Sequence, residues 1–246
     1  MKRFSAILVS GILIALLGIS CKDSNMRVNP NRGTAPNLYK ETFQVTDNYS
    51  FEYLQITGLE DEERQNKINQ ALKEASTGWV VDNIVDAEYV KSTVLFQSEQ
   101  YLCVSQTFYF PEERIDSDRE ICFIIDLKNG ERVFLDDLVE VNDAFVEKFQ
   151  HGDILYATGD FDPGEATPFI RDQYRTDPPE DVLDKLQKCS IDPKETIREE
   201  GLTPFINYAY INASGQLCFS FFPSTTAAEI FVFLDDIEEF LKVEKW

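Results

Sequence analysis

Apolar and polar residues alternate along several stretches of the chain, which predicts strands that bury one face. The clearest stretches are 88–97, 100–110 and 120–127, and the others are 39–57, 131–135, 205–211, 216–222 and 230–234. Turn residues separate neighbouring strands, notably Asn129-Gly130, where positive φ angles cost little. The pattern therefore predicts hairpins between consecutive strands.

Helical spacing of apolar residues replaces the alternation in four other stretches, 60–77, 136–149, 180–189 and 236–242. In the first of them Ile68, Leu72 and Ala75 lie on one side, which predicts an amphipathic helix. We expect Asp136 or Asp137 to cap the second helix and Asp235 to cap the last. The stretch 150–179 is rich in glycine and proline and predicts a long loop.

Strand runs with interspersed helices, and few regular β-α-β alternations, are typical of an α+β fold. We therefore predict a mainly antiparallel sheet with two to four packing helices. Length allows one fairly large domain over residues 38–246, with 38–110 and 118–242 as candidate sub-domains.

The first residues of the chain have the layout of a secretory signal peptide. Lys2 and Arg3 precede an apolar run at 6–17, and Cys21 follows small residues. The run is about half the ~20 residues that a membrane-spanning helix needs. We predict cleavage after residue 20 and export from the cytoplasm.

Cys21 at the cleavage point resembles the lipobox of bacterial lipoproteins, in which this cysteine carries the lipid. Gly18 occupies the place where the usual box has leucine. The resemblance implies an extracytoplasmic protein held at the bacterial cell envelope by a lipid anchor on Cys21. A cleaved signal peptide with an incidental Cys21 is the alternative. Residues 21–37, rich in polar residues, glycine and proline, predict a flexible tether.

The charge balance is strongly acidic. The chain has 23 basic and 44 acidic residues. Removing Lys2 and Arg3 with the signal peptide leaves a formal charge of −23. Such a surface repels nucleic acid and attracts cationic partners, so we predict no nucleic-acid partner. An acidic surface that only maintains solubility is the alternative.

Four cysteines remain beyond the signal peptide, namely Cys103, Cys122, Cys189 and Cys218. Four thiols allow three complete pairings, and spacing alone does not select one. Strand alternation places Cys103 and Cys122 on the same face of a predicted hairpin, which makes a disulfide between them one hypothesis. Buried free thiols are the other, because cysteine packs as a small apolar residue.

Residues that could carry catalysis are few. His151 is the sole histidine, and no nucleophile motif accompanies it. The segment 160–165 has some features of a calcium loop but lacks the required oxygen ligands. Paired aspartates are explained by helix capping. We therefore expect no enzyme, no metal site and no cofactor.

Several short stretches resemble one extracytoplasmic family. They are FEYLQITGL at 51–59, QNKIN at 65–69, FIIDLKNGERVFLDDL at 123–138, QLCFSFFP at 216–223 and residues 230–241. They are similar to the extracellular domain of lysozyme-sensing anti-sigma factors and to the accessory domain of some peptidoglycan deacetylases. Residues 111–119 and 224–229 depart from the family pattern, so the resemblance does not identify a ligand.

The resemblance and the charge together imply a surface-tethered, non-catalytic binding module. The expected partner is a cell-wall component such as peptidoglycan, or a cationic wall-directed protein such as lysozyme. The alternative is an envelope-assembly or scaffold lipoprotein with a protein partner and no wall ligand. Candidate contact residues form an acidic loop beside the aromatic strand end Phe108–Phe110, and a solvated loop is the alternative. They are Phe110, Glu112, Glu113, Asp116 and Asp118.

Overall fold

Hydrophobic clusters cover both faces of the central sheet along β4 and β5, and this arrangement organises the fold. The computed structural model describes residues 36–47, 49–78, 89–109, 118–158, 163–192, 207–221 and 229–246. Their strands pair in antiparallel fashion into three sheets, and helices pack against these sheets. The predicted α+β class with mainly antiparallel sheet is therefore confirmed. Cys21, the predicted lipid attachment site, lies outside the described residues.

Ten strands and several helices make up the described part of the chain. The strands are β1 Asn37–Thr46, β2 Tyr49–Thr57, β3 Tyr89–Gln97, β4 Tyr101–Tyr109, β5 Asp118–Asp126, β6 Arg132–Val133, β7 Tyr156–Thr158, β8 Tyr208–Ile211, β9 Leu217–Ser220 and β10 Glu229–Val232. The helices are α1 Glu62–Thr77, α2 Leu135–Leu138, α3 Asp143–His151, α4 Pro163–Thr176, α5 Pro179–Lys188 and a 3₁₀ helix at Leu234–Phe240. None of the described helices is long and apolar enough to cross a membrane.

The strands form a hairpin of β1 and β2, a central sheet in the order β3-β4-β5-β6, and a C-terminal sheet in the order β7-β10-β9-β8. In β5 every side chain from Ile121 to Ile125 is buried. Phe123 and Ile125 join a cluster with α1 and β2, while Ile124 joins a larger cluster with the C-terminal sheet and helices α3, α4 and α5. The central sheet thus separates two hydrophobic clusters.

Helix α1 agrees with the predicted helix at 60–77. The Asp61 carboxylate accepts a hydrogen bond from the Arg64 N–H at 2.9 Å, which caps the helix. Ile68 and Leu72 are fully buried against the central sheet.

The helix predicted at 136–149 is interrupted in the structure. A single turn, α2, is followed by α3, and the Asn142 side chain caps α3 by accepting from the Phe145 N–H at 3.0 Å. Asp137 lies inside α2 and accepts from the Phe134 N–H at 2.9 Å. The prediction that Asp136 or Asp137 caps one continuous helix is therefore wrong.

Asp235 does not cap the last helix either. The 3₁₀ helix begins at Leu234 with no side-chain cap, and the Asp235 carboxylate instead pairs with Lys245 at 2.6 Å. An ion pair to a following lysine satisfies the carboxylate in place of the helix N–H groups.

Helix α4 lies in the stretch where a long loop was predicted. Pro163 occupies its first position, where proline costs little, whereas Pro168 lies inside the helix. Ala166, Ile170 and Tyr174, spaced four residues apart, are all buried in the larger cluster. Their burial outweighs the helix-breaking tendency of the prolines.

Candidate functional site

The predicted acidic contact loop is only partly described. Phe110, Glu112, Glu113 and Asp116 lie outside the described residues. Asp118 is the first residue of β5, and its backbone pairs with Tyr109 at the end of β4. The acidic segment therefore connects to the central sheet beside Tyr109.

Two tyrosines, one exposed and one half-buried, form a stacked pair at this end of the central sheet. Tyr89 of β3 pairs directly with Tyr109 of β4, and their rings stack with centroids 4.2 Å apart and planes 18° apart. Tyr89 lies at the surface, with 51% of the residue exposed. The tyrosine pair therefore marks the end of β3 and β4 next to the acidic segment.

The next row of the same sheet face is polar. Lys91, Thr107 and Glu120 pair with one another across β3, β4 and β5. Lys91 and Glu120 are exposed. We call the two rows, Tyr89 and Tyr109 with Lys91, Thr107 and Glu120, the tyrosine rim.

Phe108 does not belong to the tyrosine rim. It lies on the opposite sheet face, fully buried, with its ring edge-on to Phe51 at 6.1 Å. The expectation that the whole aromatic strand end flanks the acidic loop is therefore wrong for Phe108. Strand alternation already separates Phe108 from Tyr109, and the same alternation in β3 could have identified Tyr89.

A polar cluster beneath the rim connects the central sheet to the C-terminal sheet. The Ser105 hydroxyl donates to the Glu120 carboxylate. Next to Ser105, the Cys122 thiol interacts with the Tyr208 hydroxyl of β8. Burial, with a smaller contribution from the nearby Cys122 and Glu120, raises the pKa of Tyr208. Tyr208 is therefore an uncharged hydrogen-bonding residue at neutral pH.

The hypothetical disulfide between Cys103 and Cys122 is not formed in the structure, where both residues are buried free thiols. The predicted shared face is correct, but the register places Cys103 opposite Ile124 and Cys122 opposite Ser105. The two cysteines are thus diagonal neighbours rather than a directly opposed pair, which separates their backbones more widely.

Burial also determines the reactivity of these thiols. Desolvation raises the pKa of Cys103 to about 12, and its sulfur accepts a hydrogen bond from the Ile211 N–H at 3.4 Å. Burial raises the pKa of Cys189 in the same direction. Thiolate is the nucleophilic form, so these cysteines are unreactive at neutral pH.

His151 lies at the end of α3 and is exposed. In the ranges that the structure describes, no three His, Cys, Asp or Glu side chains lie close enough together to hold a metal ion. The tyrosine rim, which the sequence analysis did not name, is the strongest candidate among the described residues next to the predicted acidic loop.

Fold and rim together define an α+β domain with a stacked tyrosine pair beside exposed charged residues of both signs. Comparison of the chain with models of known protein families and with curated proteins gives no match.

Proposed function

We propose that the chain is a lipid-anchored, non-catalytic binding module of the bacterial cell envelope, which uses the tyrosine rim to bind a cationic wall-directed protein such as lysozyme, or a cell-wall component. The stacked pair of Tyr89 and Tyr109 beside the acidic strand end carries this proposal. The signal peptide and Cys21 support the location.

The chemistry of the rim suits a basic partner. A lysine or arginine over an exposed tyrosine ring contributes about 0.5–1 kcal/mol, and an exposed ion pair contributes a similar amount. Glu120 offers a carboxylate one row away from the tyrosines. Several such contacts together give useful affinity, whereas a single one does not.

The net charge supports the same partner. A chain with a charge of −23 after signal removal accelerates encounter with a basic protein, and salt weakens this effect. Attachment through Cys21 would hold the domain where wall-directed proteins arrive.

Calorimetry with the full-length chain in detergent and lysozyme as the probe tests the proposal. We expect binding at low salt that weakens steeply at physiological salt. Replacing both rim tyrosines, as Tyr89→Ala with Tyr109→Ala, should weaken binding by about tenfold or more. Tyr39→Ala is the matched control, because Tyr39 is 43% exposed on β1, away from the rim.

Capture of purified cell-wall material in parallel tests the second ligand class. Absence of binding to both lysozyme and wall material would contradict the proposal. Unchanged affinity in the double tyrosine variant, with its circular dichroism intact, would exclude the rim as the contact surface. Cross-linking in cells that yields one protein partner even after wall digestion would favour the scaffold alternative.

A further inference from the structure

A groove with polar and apolar walls lies between α1 and the turn that joins β5 to β6. Its volume is about 390 Å³, which is within the ~300–1,000 Å³ range of small-molecule sites. One wall is a stripe along α1, formed by Lys67, Gln70, Ala71 and Glu74. The opposite wall is the turn itself with Glu131, Arg132, Phe134 and Asp192.

Arg132 forms the inner part of the groove. Its side chain is 15% exposed and donates from Nη1 to the Asp192 carboxylate at 3.3 Å. The guanidinium lies 5.0 Å from the ring centroid of Phe134 and 6.0 Å from that of Phe123. Among the described residues its other N–H groups have no hydrogen-bond acceptor.

A guanidinium that faces a groove favours a ligand carboxylate. Burial lowers the pKa of Arg132, and Asp192 opposes the change only in part. The planar fork of N–H groups matches the two oxygens of a carboxylate, and the aromatic rings keep it oriented. A carboxylate bound there would accept from the N–H groups that do not face Asp192.

Two exposed carboxylates occupy the outer part of the same groove. Glu74 accepts from the Gln70 amide at 2.6 Å, and Glu131 accepts from the Asn129 amide at 3.3 Å. These hydrogen bonds hold both carboxylates in place. They suit an ammonium group and repel a second anion.

We infer that this groove binds a small zwitterion, an amino acid or short peptide whose free carboxylate faces Arg132 and whose ammonium group faces Glu74 and Glu131. A multivalent anion such as phosphate is disfavoured by the three surrounding carboxylates, and a simple cation by Arg132 and Lys67. A zwitterion has no net charge, so the negative potential of the acidic chain does not repel it.

The groove and the tyrosine rim are independent sites. Glu120 of the rim shares one face of β5 with Ile124, whereas Arg132 lies beside Phe123 and Ile125 on the opposite face, which packs against α1. The two sites are therefore on opposite faces of the central sheet. Variants in one site therefore leave the other unchanged.

Calorimetric titration of the full-length chain in detergent with D-alanyl-D-alanine and L-alanyl-L-alanine tests the inference. We expect saturable binding at millimolar concentrations or below, lost when the dipeptide carboxylate is amidated and weakened when its amine is acetylated. Binding of either free dipeptide supports the inference. The stronger of the two identifies the source, since the D form represents cell-wall peptide and the L form ordinary peptide. Inorganic phosphate is the negative probe.

Variants locate the binding in the groove. Ala71→Leu fills it from α1 without changing a charge and should weaken binding by at least about tenfold. Lys73→Leu is the matched control on the exposed side of the same helix. Glu74→Gln should weaken binding about two- to fivefold. Arg132→Gln should abolish it, and circular dichroism checks that this variant folds.

Absence of dipeptide binding, equal binding of the amidated dipeptide or of phosphate, or unchanged affinity in Ala71→Leu would each overturn the inference. Because lysozyme and wall capture are measured on the same protein, failure of the groove and failure of the proposed function are distinguishable.

Discussion

The Asn69 side chain forms two hydrogen bonds with the backbone of Ile56. Its Oδ1 accepts from the Ile56 N–H at 2.8 Å, and its Nδ2 donates to the Ile56 carbonyl at 3.0 Å. Asn69 of α1 thus satisfies two backbone groups of β2, as a neighbouring strand would. The Gln55 side chain donates back to the Asn69 carbonyl at 2.9 Å, so helix and hairpin are joined in both directions.

Replacing Asn69 with leucine should destabilise the fold by about 2–4 kcal/mol, because both buried backbone groups of Ile56 lose their partner. Urea denaturation measures the change. Asn66→Leu is the control, since Asn66 is exposed on the same helix, and it should shift stability by less than ~0.5 kcal/mol. Equal effects of the two substitutions would contradict this role of Asn69.

Gly130→Ala should destabilise the fold by about 2–4 kcal/mol. Gly130 has a φ of +77°, and an added Cβ would lie 2.7 Å from the Lys67 Cβ. Gly215 has a φ of +76° but only a 3.5 Å contact to the Phe96 ring. Gly215→Ala therefore measures only the cost of a positive φ in a residue with a side chain. We expect it to lower the free energy of unfolding by only about 1–2 kcal/mol. Thermal and urea denaturation compare the pair, and a larger loss for Gly215→Ala would refute the close approach of turn and helix.

Thr167→Val should expose the edge of the C-terminal sheet. The Thr167 hydroxyl accepts from the Ala157 N–H at 3.0 Å and donates to the Ala157 carbonyl at 3.3 Å, which covers the outer edge of β7. We expect a loss of about 1–2 kcal/mol in urea and increased self-association by light scattering. Thr176→Val, exposed in the same helix, is the control and should have neither effect.

Stability should fall as pH rises above 9. The ordinary thiol pKa of 9.0 is raised by burial to about 12 for Cys103. The unfolded chain therefore releases this proton first, so the stabilisation is complete below pH 9 and is lost towards pH 12, at about 1.4 kcal/mol per pH unit. Cys103→Ala should reduce the slope by that amount in urea titrations at several pH values. An unchanged slope would show that the thiol is not desolvated in the folded state.

Alkylation of the denatured chain without reductant should modify all four of Cys103, Cys122, Cys189 and Cys218, because the structure has them as free thiols. Intact mass spectrometry counts the added groups. In the native protein the same thiols should react slowly, since all four are buried. A denatured mass lacking two of these groups would instead demonstrate a disulfide.

Local patterns predicted most of the strands and α1, because alternation and helical spacing directly reflect burial. These patterns failed where packing between distant parts of the chain determines the secondary structure. In α4 the four-residue spacing of Ala166, Ile170 and Tyr174 was present in the sequence, but the prolines and glycines around it favoured a loop, and burial in the larger cluster decides for the helix.

The candidate sites, too, could be predicted from the sequence only in part. The sequence pointed to the acidic strand end at Asp118, but Tyr89 joins it only through the β3–β4 register. The groove depends on the pairing of Arg132 with Asp192, which are 60 residues apart in the chain. Contacts between residues so far apart in the sequence depend on the topology of the chain, which local sequence patterns do not reveal.

Strands β4 and β5 carry side chains of both hydrophobic clusters and pair over nine residues. Loss of either cluster would expose one face of these two strands to solvent. Their amide protons can therefore exchange with solvent only when the whole domain opens, and they should be the slowest to exchange. A boundary between residues 110 and 118 would cut through this cooperative unit, so neither half would keep its structure alone.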